Sequence, residues 1–271
     1  MIALFTDFGS RDAYVAQMKG AMLCINPQAQ LIDLNHEIGQ FDIRAAAYVL
    51  EASVRYFPAE TIFVAVVDPG VGSSRRPLLV RTQAEKWYIG PDNGLFTRVL
   101  QREGLQAAYA LTQAAYFRHP QVSATFHGRD IFAPVAAHLS LGVAAAHFGP
   151  PLTALVMLPL TPPCAAGQTV SGEVVHIDHF GNVITNITAD LLEALQQGQL
   201  VSLSLQGQTY TIPLVSTYAE GAPGQLIGLL NSDDAFELAV SQGQASACLT
   251  AQVGDRLVLA GDVEGSQPGV V

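Results

Sequence analysis

The stretch Val64-Ala65-Val66-Val67-Asp68-Pro69-Gly70-Val71-Gly72-Ser73-Ser74-Arg75-Arg76 decides the fold. Val64, Val66 and Val67 read as a strand covered on both faces, since branched apolar residues run without polar alternation. Pro69 and Gly70 stop it. A carboxylate just past the carboxyl end of such a strand lies where open α/β sheets hold their ligands. Asp68-Pro69-Gly70 is also an ordinary turn signal, and the local sequence leaves both readings open.

The pattern recurs at the start of the chain. Ile2-Ala3-Leu4-Phe5 is a short apolar strand, followed by Thr6-Asp7-Phe8-Gly9-Ser10-Arg11-Asp12. Tyr14, Met18, Met22 and Ile25 then recur at helical spacing up to Asn26-Pro27. Asp7 thus also sits at a strand end, and two acids in equivalent places predict a polar crevice along one sheet edge. Alone, Asp7 reads equally as a helix N-cap or an Asx-turn.

Outward from these two junctions, strands are predicted at 2–6, 30–34, 62–67, 78–82, 87–90 and 107–110, and helices at 12–25, 42–55, 93–103 and 129–146. Tyr88-Ile89-Gly90-Pro91-Asp92-Asn93-Gly94 is a third strand-turn-helix junction. This alternation predicts an α/β domain with a largely parallel central sheet. Residues 149–168 are rich in Pro, Thr, Ala and Gly. Beyond them come short strands at 169–177, 183–187, 199–205, 209–213, 226–230 and 256–259, with few helix signals. They predict a small β-barrel or sandwich. The expected division is an α/β domain over 1–158, a linker over 159–168 and a β-barrel domain over 169–271 whose tail, 265–271, is frayed.

Composition narrows the function. Thirteen basic against 23 acidic residues give a net charge of −10, and the only lysines are Lys19 and Lys86. With no basic cluster beyond Arg75-Arg76, nucleic-acid binding is not expected. Cys24, Cys164 and Cys248 are odd in number and lack metal-type spacing. They point to a reducing compartment without disulfides, so a cytoplasmic location is expected. The start lacks a basic region followed by an apolar signal core. From Ile131 to Gly172 no charged residue occurs, but Pro134, Gly142, Gly149-Pro150-Pro151, Pro159 and Pro162-Pro163 interrupt the run. A membrane span needs about 20 continuous apolar residues, so a buried or subunit-facing helix over 131–147 is the better reading.

Two further constellations carry chemistry. In Phe126-His127-Gly128-Arg129-Asp130, His127 lies before a helix start, beside a glycine that permits close approach. It could polarise a water or donate to an oxyanion, or be a loop histidine of no consequence. In His176-Ile177-Asp178-His179-Phe180-Gly181-Asn182, strand alternation puts His176 and Asp178 on one face and His179 on the other. They do not converge as metal ligands would, so a polar ligand-binding rim including Asn182 is favoured over a metal. The third glycine of the dinucleotide pattern, a Gly-Lys-Ser/Thr phosphate loop and a Gly-x-Ser-x-Gly elbow are all absent from the sequence.

Together these segments resemble the S-adenosylmethionine hydroxide adenosyltransferase family, the adenosine-forming relatives of the bacterial fluorinase and chlorinase. The resemblance runs over nearly the whole chain. Its motifs are Thr6-Asp7-Phe8-Gly9, Asp68-Pro69-Gly70-Val71-Gly72 with Arg75, Gly90-Pro91-Asp92-Asn93-Gly94, Phe126-His127-Gly128-Arg129-Asp130, Asp178-His179-Phe180-Gly181-Asn182 and Leu230-Asn231-Ser232. It implies an N-terminal α/β domain, a C-terminal β-barrel and a homotrimer binding S-adenosylmethionine between subunits. S-adenosylmethionine is then the substrate, and neither cofactor nor metal is expected.

By the same resemblance the catalytic residues fall on Asp68, Arg75 and His127. Asp7 should bind both ribose hydroxyls and Asp12 the methionine amine. Asn182 and Asp178 should hold the adenine or methionine portion, Tyr218 should stack on the adenine, and Ser232 should lie near the methionine carboxylate. Phe8, Asn93 and Phe126 complete the implied substrate contacts. One position departs: the halogenases carry an arginine directly after the residue matching Ser232, and this chain has Asp233. They also carry an uncharged residue in place of Asp68. A carboxylate about 4 Å from chloride costs about 4 kcal/mol at an effective dielectric near 20, almost three decades of affinity. Water is therefore the expected nucleophile. The competing readings are a chlorinase-like halogenase and a non-catalytic binder of adenosine or S-adenosylmethionine.

Overall fold

The computed structural model describes residues 1–193, 195 and 200–261. They form two compact units, Met1–Leu158 and Pro159–Val271. The first contains six strands: β1 (Ile2–Thr6), β2 (Leu31–Asn35), β3 (Ile62–Val66), β4 (Pro77–Thr82), β5 (Trp87–Pro91) and β6 (Leu105–Ala110). Its helices are α1 (Tyr14–Ile25), α2 (Ile43–Val54), α3 (Thr97–Glu103) and α4 (Ala133–Ser140). The strands lie in the order β2-β1-β3-β5-β4-β6. The first four run parallel, whereas β4 is antiparallel to both β5 and β6.

Strand pleating sorts the aliphatic runs onto two faces. Ile2, Leu4, Ile62, Val64, Val66 and Ile89 pack with Met18 and Met22 of α1 and with Val135 and Leu139 of α4. Ala3, Phe5, Phe63, Ala65, Val67 and Tyr88 face the other way, onto α2 and α3. β1 and β3 are buried throughout, as the unbroken apolar runs require. Each fully buried Val, Leu, Ile, Phe or Met side chain there contributes about 1.5–3 kcal/mol by leaving water.

Three helical expectations are corrected. The predicted helix 129–146 is a turn of π-helix at Gly128–Phe132, then α4, then a separate 3₁₀ turn at Ala145–Phe148. The break falls at Gly142, whose φ of 87° an L side chain adopts only with strain. α3 starts at Thr97 rather than 93, because Asp92-Asn93-Gly94 form a turn in which Asn93 Oδ1 accepts from Leu95 N–H at 3.2 Å. α1 starts at Tyr14 rather than 12. The charge-free segment is explained by α4, of which all residues but His138 and Ser140 are buried. Among the described residues no helix is long and apolar enough to cross a membrane.

The second unit is one antiparallel sheet. Its strands are β7 (Cys164–Ala166), β8 (Thr169–Ile177), β9 (Val183–Thr188), β10 (Leu200–Leu205), β11 (Gln208–Pro213), β12 (Leu226–Leu230), β13 (Ala235–Val240) and β14 (Arg256–Gly261). The order is β11-β10-β14-β8-β9-β13-β12, with β7 paired to β8. A bridge between Leu214 and Gly228 joins the two ends, so the sheet nearly closes into a barrel. The sequence reading missed β13 and the short helices Ala189–Leu192 and Ala245–Leu249. It also placed the linker where β7 forms. The expected frayed tail, 265–271, lies outside the described residues.

Candidate active site

Parallel strands carry their loops to a common edge, and three adjacent ones supply the site. Thr6 of β1 pairs with Val66 of β3, so Asp7 and Asp68 leave neighbouring strands one and two residues beyond that level. Asn93, just after β5, donates Nδ2–H to Val67 O at 2.8 Å. With its oxygen on Leu95, its amide braces the turn that carries Asp68.

Asp68, Arg75 and His127 are in contact. Arg75 Nε–H donates to Asp68 Oδ1 at 2.8 Å and to Oδ2 at 3.0 Å, and Nη2 donates to Oδ2 as well. The same Nη2 lies 2.8 Å from His127 Nδ1. The Asp68 and Arg75 side chains are only 5% and 9% exposed, so this is a desolvated, charge-assisted fork. Arg75 stacks on the Phe132 ring at 5.4 Å. Its Nη1 is buried and has no hydrogen-bond partner among the described residues.

Local sequence explains how the guanidinium reaches the imidazole. Val71 N–H donates to Asp68 O at 3.2 Å and Ser73 N–H to Gly70 O at 3.1 Å, coiling the loop tightly. Gly72 has φ 77°, and a Cβ there would lie 2.3 Å from Ala124 O. The loop bearing Arg75 therefore touches the segment leading to His127 backbone to backbone. His127 sits at the mouth of the π-turn, and a Cβ on Gly128 would meet Met18 Sδ at 3.2 Å. Asp130, buried beside it, accepts from Arg129 Nε at 2.7 Å and from Ser123 N at 2.9 Å. Burial raises the Asp130 carboxyl, but those hydrogen bonds and the arginine charges outweigh it and hold it below its usual value. Arg76, next to Arg75, turns away: its Nε donates to buried Asp92 at 2.8 Å and its Nη2 to Ala154 O at 2.9 Å.

Burial, and next the Arg75 charge, push His127 below its ordinary value, with Asp68 and Asp130 opposing. The ring is neutral near pH 7. A guanidinium only donates, so Nδ1 accepts and the imidazole proton sits on Nε2.

Beside this cluster, Asp7, Phe8, Arg11, Asp12, His36 and Glu37 line a cleft of about 630 Å³. Asp7 Oδ2 accepts from Phe41 N–H at 2.9 Å. A second cleft of about 370 Å³ shares Phe8 and adds Tyr14, Gln17, Phe126 and Arg129. Phe8, Tyr14 and Phe126 meet edge to face at 5.3–5.9 Å.

The second unit gathers its own polar group. Asp178 Oδ1 accepts from Phe180 N and Asn182 N, both at 2.9 Å, and Oδ2 from Asn182 Nδ2 at 3.0 Å. Asp178 and Asn182 thus build the β8–β9 turn together, leaving Phe180 exposed at its tip. Among the described residues no three metal-ligating side chains assemble. Tyr218 donates its hydroxyl to Glu237 Oε1 at 2.7 Å, and Asn231 Nδ2 donates to Oε2 at 3.2 Å. Ser232 is exposed on the β12–β13 turn, where Asn231 Oδ1 accepts from the N–H of Asp233 and Ala235. Buried Glu237 was missed by the sequence reading. Its only signal was an acid inside the apolar run Phe236-Glu237-Leu238-Ala239-Val240. Burial raises its pKa and Asp178 adds to this, against the hydrogen bonds from Tyr218 and Asn231. Burial and Glu237 push the Tyr218 phenol well up.

The chain matches the SAM hydroxide adenosyltransferase N-terminal domain over residues 2–149 and the C-terminal domain over residues 172–258. It belongs to the SAM hydroxide adenosyltransferase family. It is 40% identical over 261 residues to the (R)-S-adenosyl-L-methionine hydrolase of Salinispora tropica, covering 94% of this chain and 96% of that one. A fluorinase from an Actinoplanes species is 30% identical over 269 residues, 88% of this chain and 90% of its own. A crystal structure of an uncharacterized conserved protein from Thermotoga maritima superposes with a TM-score of 0.92 at 35% identity, over 96% of this chain and all of that one.

Proposed function

We propose that the protein hydrolyses S-adenosyl-L-methionine to adenosine and L-methionine by in-line attack of an activated water on C5′. The single observation that carries the reading is the contact among Asp68, Arg75 and His127, drawn from two loops far apart in sequence. The names of the hydrolase relatives support it.

The chemistry divides as follows. A C5′–O bond forms, the C5′–S bond breaks, and the electron pair goes to sulfur, which leaves as a neutral thioether needing no proton. Water is the weak partner. Arg75 Nη1, buried and without a partner among the described residues, is a donor for its oxygen, and the His127 Nε2–H is a second. Donors on the oxygen stabilise developing hydroxide, and the Asp68 carboxylate accepts the proton. Hydroxide meeting a sulfonium cancels charge, so a water-poor pocket favours the step. Asp7 takes the two ribose hydroxyls and Asp12 the methionine amine. Phe8, Phe126 and Asn93 shape and brace the pocket. Asn182, Asp178, Tyr218 and Ser232 hold the adenine and methionine ends. The active form is a cytoplasmic homotrimer with S-adenosylmethionine bound between subunits, and it acts without metal, cofactor, nucleic acid or membrane.

Halide attack is the second reading, favoured by the likeness to a fluorinase. The Arg75 fork offsets the Asp68 charge, so the penalty against a halide is smaller than for a bare carboxylate. A carboxylate is useful to a nucleophile with a proton to give, and a halide has none. Incubation with S-adenosylmethionine in ¹⁸O-water, with and without chloride, tests both. Label in the adenosine 5′-hydroxyl is the expected result. 5′-Chloro-5′-deoxyadenosine would mean halide attack, and unchanged substrate would mean a non-catalytic binder.

A further inference from the structure

A chain of hydrogen bonds runs from the Asp7 turn to the protein surface, and the hydrolytic chemistry does not use it. Phe8 N–H donates to Thr6 Oγ1 at 3.2 Å. Thr6 Oγ1 lies 2.9 Å from His36 Nδ1, and His36 Nε2 lies 2.9 Å from Asp33 Oδ1. Lys19 Nζ closes the chain on Asp33 Oδ2 at 2.6 Å. Thr6 is fully buried, and the His36 side chain is 11% exposed.

The donors order themselves. The Asp33 carboxylate can only accept, so His36 places a proton on Nε2. Thr6 already accepts from Phe8 and has one hydroxyl proton to donate, and with Nε2–H directed at Asp33 the ring's other nitrogen, Nδ1, is the acceptor 2.9 Å away. The chain therefore reads Phe8 N–H to Thr6 O–H to His36 Nδ1, then Nε2–H to Asp33, with Lys19 donating from the far side. Two further ties fasten the loop after β2 to the turn after β1. Gly9 N–H donates to His36 O at 2.7 Å, and Phe41 N–H to Asp7 Oδ2 at 2.9 Å. His36 is thus joined by its backbone to Gly9 and by its ring to Thr6, the residues on either side of the Asp7–Phe8 pair.

We infer that His36 is a positioning residue for the Asp7–Phe8 turn, acting through the Thr6 hydroxyl, and that it sets how tightly the cleft holds the ribose of the substrate. The inference rests on the reading that Asp7 engages the ribose hydroxyls. Among the described residues His36 bonds to Thr6, Gly9 and Asp33 and not to Asp68, Arg75 or His127, so it acts on binding and not on the chemical step.

The test is steady-state kinetics of the full chain with S-adenosylmethionine, together with calorimetric titration of adenosine. Three single variants and the His36→Gln/Thr6→Val double variant are compared. His36→Gln keeps reach to Asp33 but loses the acceptor for Thr6. Thr6→Val removes the hydroxyl at nearly constant shape, and Thr6→Ser restores it. One neutral hydrogen bond corresponds to about a tenfold change. His36→Gln and Thr6→Val are each expected to raise KM and the adenosine Kd about tenfold, with kcat within about twofold of the parent. Thr6→Ser should return KM to the parental range. The double variant should be no worse than either single one, because both cut the same chain. Unchanged KM in His36→Gln, a fall in kcat at constant KM, or additive effects would each overturn the inference. If Thr6→Val does not fold, the partly exposed His36→Gln decides alone. A parent that makes no adenosine would instead bring down the hydrolase reading itself.

Discussion

Arg75 Nη2 and His127 Nδ1 meet at 2.8 Å across 52 residues of chain, and the same nitrogen also grips Asp68. One guanidinium thereby fixes the position of an acid and the tautomer of an imidazole. Neither effect exists until the fold closes.

That contact sets a pH dependence. Burial, then the Arg75 charge, lower the His127 pKa from its usual 6.5. The working form is neutral, because a proton on Nδ1 would face the guanidinium. Activity is therefore retained as pH falls through 6.5 and lost only below it. A kcat/KM profile should place the acid limb under 6.5, and His127→Gln should abolish that limb. A histidine-dependent limb at or above 6.5 contradicts the assigned tautomer.

Replacing the fork tests geometry separately from charge. Arg75→Lys keeps the cation but cannot span Asp68 and His127 together. Its kcat should fall by about 10²–10³ with little change in KM. Asp68→Ala, which removes the proton acceptor, should cost about 10²–10⁴ in kcat. Parental rates in either variant would take that residue out of the mechanism.

Gly72 and Gly142 make a matched pair. Both have positive φ, but a Cβ on Gly72 would lie 2.3 Å from Ala124 O, while nothing lies within 4 Å of one on Gly142. Gly142→Ala should cost only the left-handed backbone strain, about 1–2 kcal/mol, and keep kcat. Gly72→Ala must also push apart the loops carrying Arg75 and His127, so kcat should drop with stability. Denaturant melts and initial rates on the two variants check this; equal kcat would show the loop approach to be unimportant.

Lys86 and Glu103 form a buried pair at 3.1 Å in the first unit, with Lys86 also donating to Val54 O and Tyr88 to Glu103. Lys86→Met strands the carboxylate in a dry site. A loss of about 3–5 kcal/mol in urea unfolding is expected, with kcat per folded molecule unchanged. A loss under about 1 kcal/mol would mean that Tyr88 and Thr82 suffice to satisfy Glu103.

The sheet of the first unit was legible because β1, β3 and β5 are short apolar runs closed by Pro, Gly or Asp. β13 was not, because Glu237 interrupts it. That carboxylate is tolerated in a buried strand only because Tyr218 and Asn231, from other segments, come to meet it. The break in the predicted helix 129–146 depends on a left-handed Gly142, and glycine in a helical pattern does not by itself announce a stop. Candidate acids at strand ends could be read locally. The contacts of Arg75 with His127 and of Thr6 with His36 could not, since each joins residues at least 30 positions apart. The bracing use of Asn93 was also hidden, because it depends on β5 lying beside β3.

Arg75 and Arg76 are one peptide apart, yet the first joins Asp68 to His127 and the second staples the chain leaving the unit through Asp92, Ala154 and Val156. Their shared backbone is thereby held at both ends before any substrate arrives. Loosening the staple would hand the guanidinium proposed to hold the water rotational freedom, and on that proposal every catalytic cycle would have to remove that freedom again.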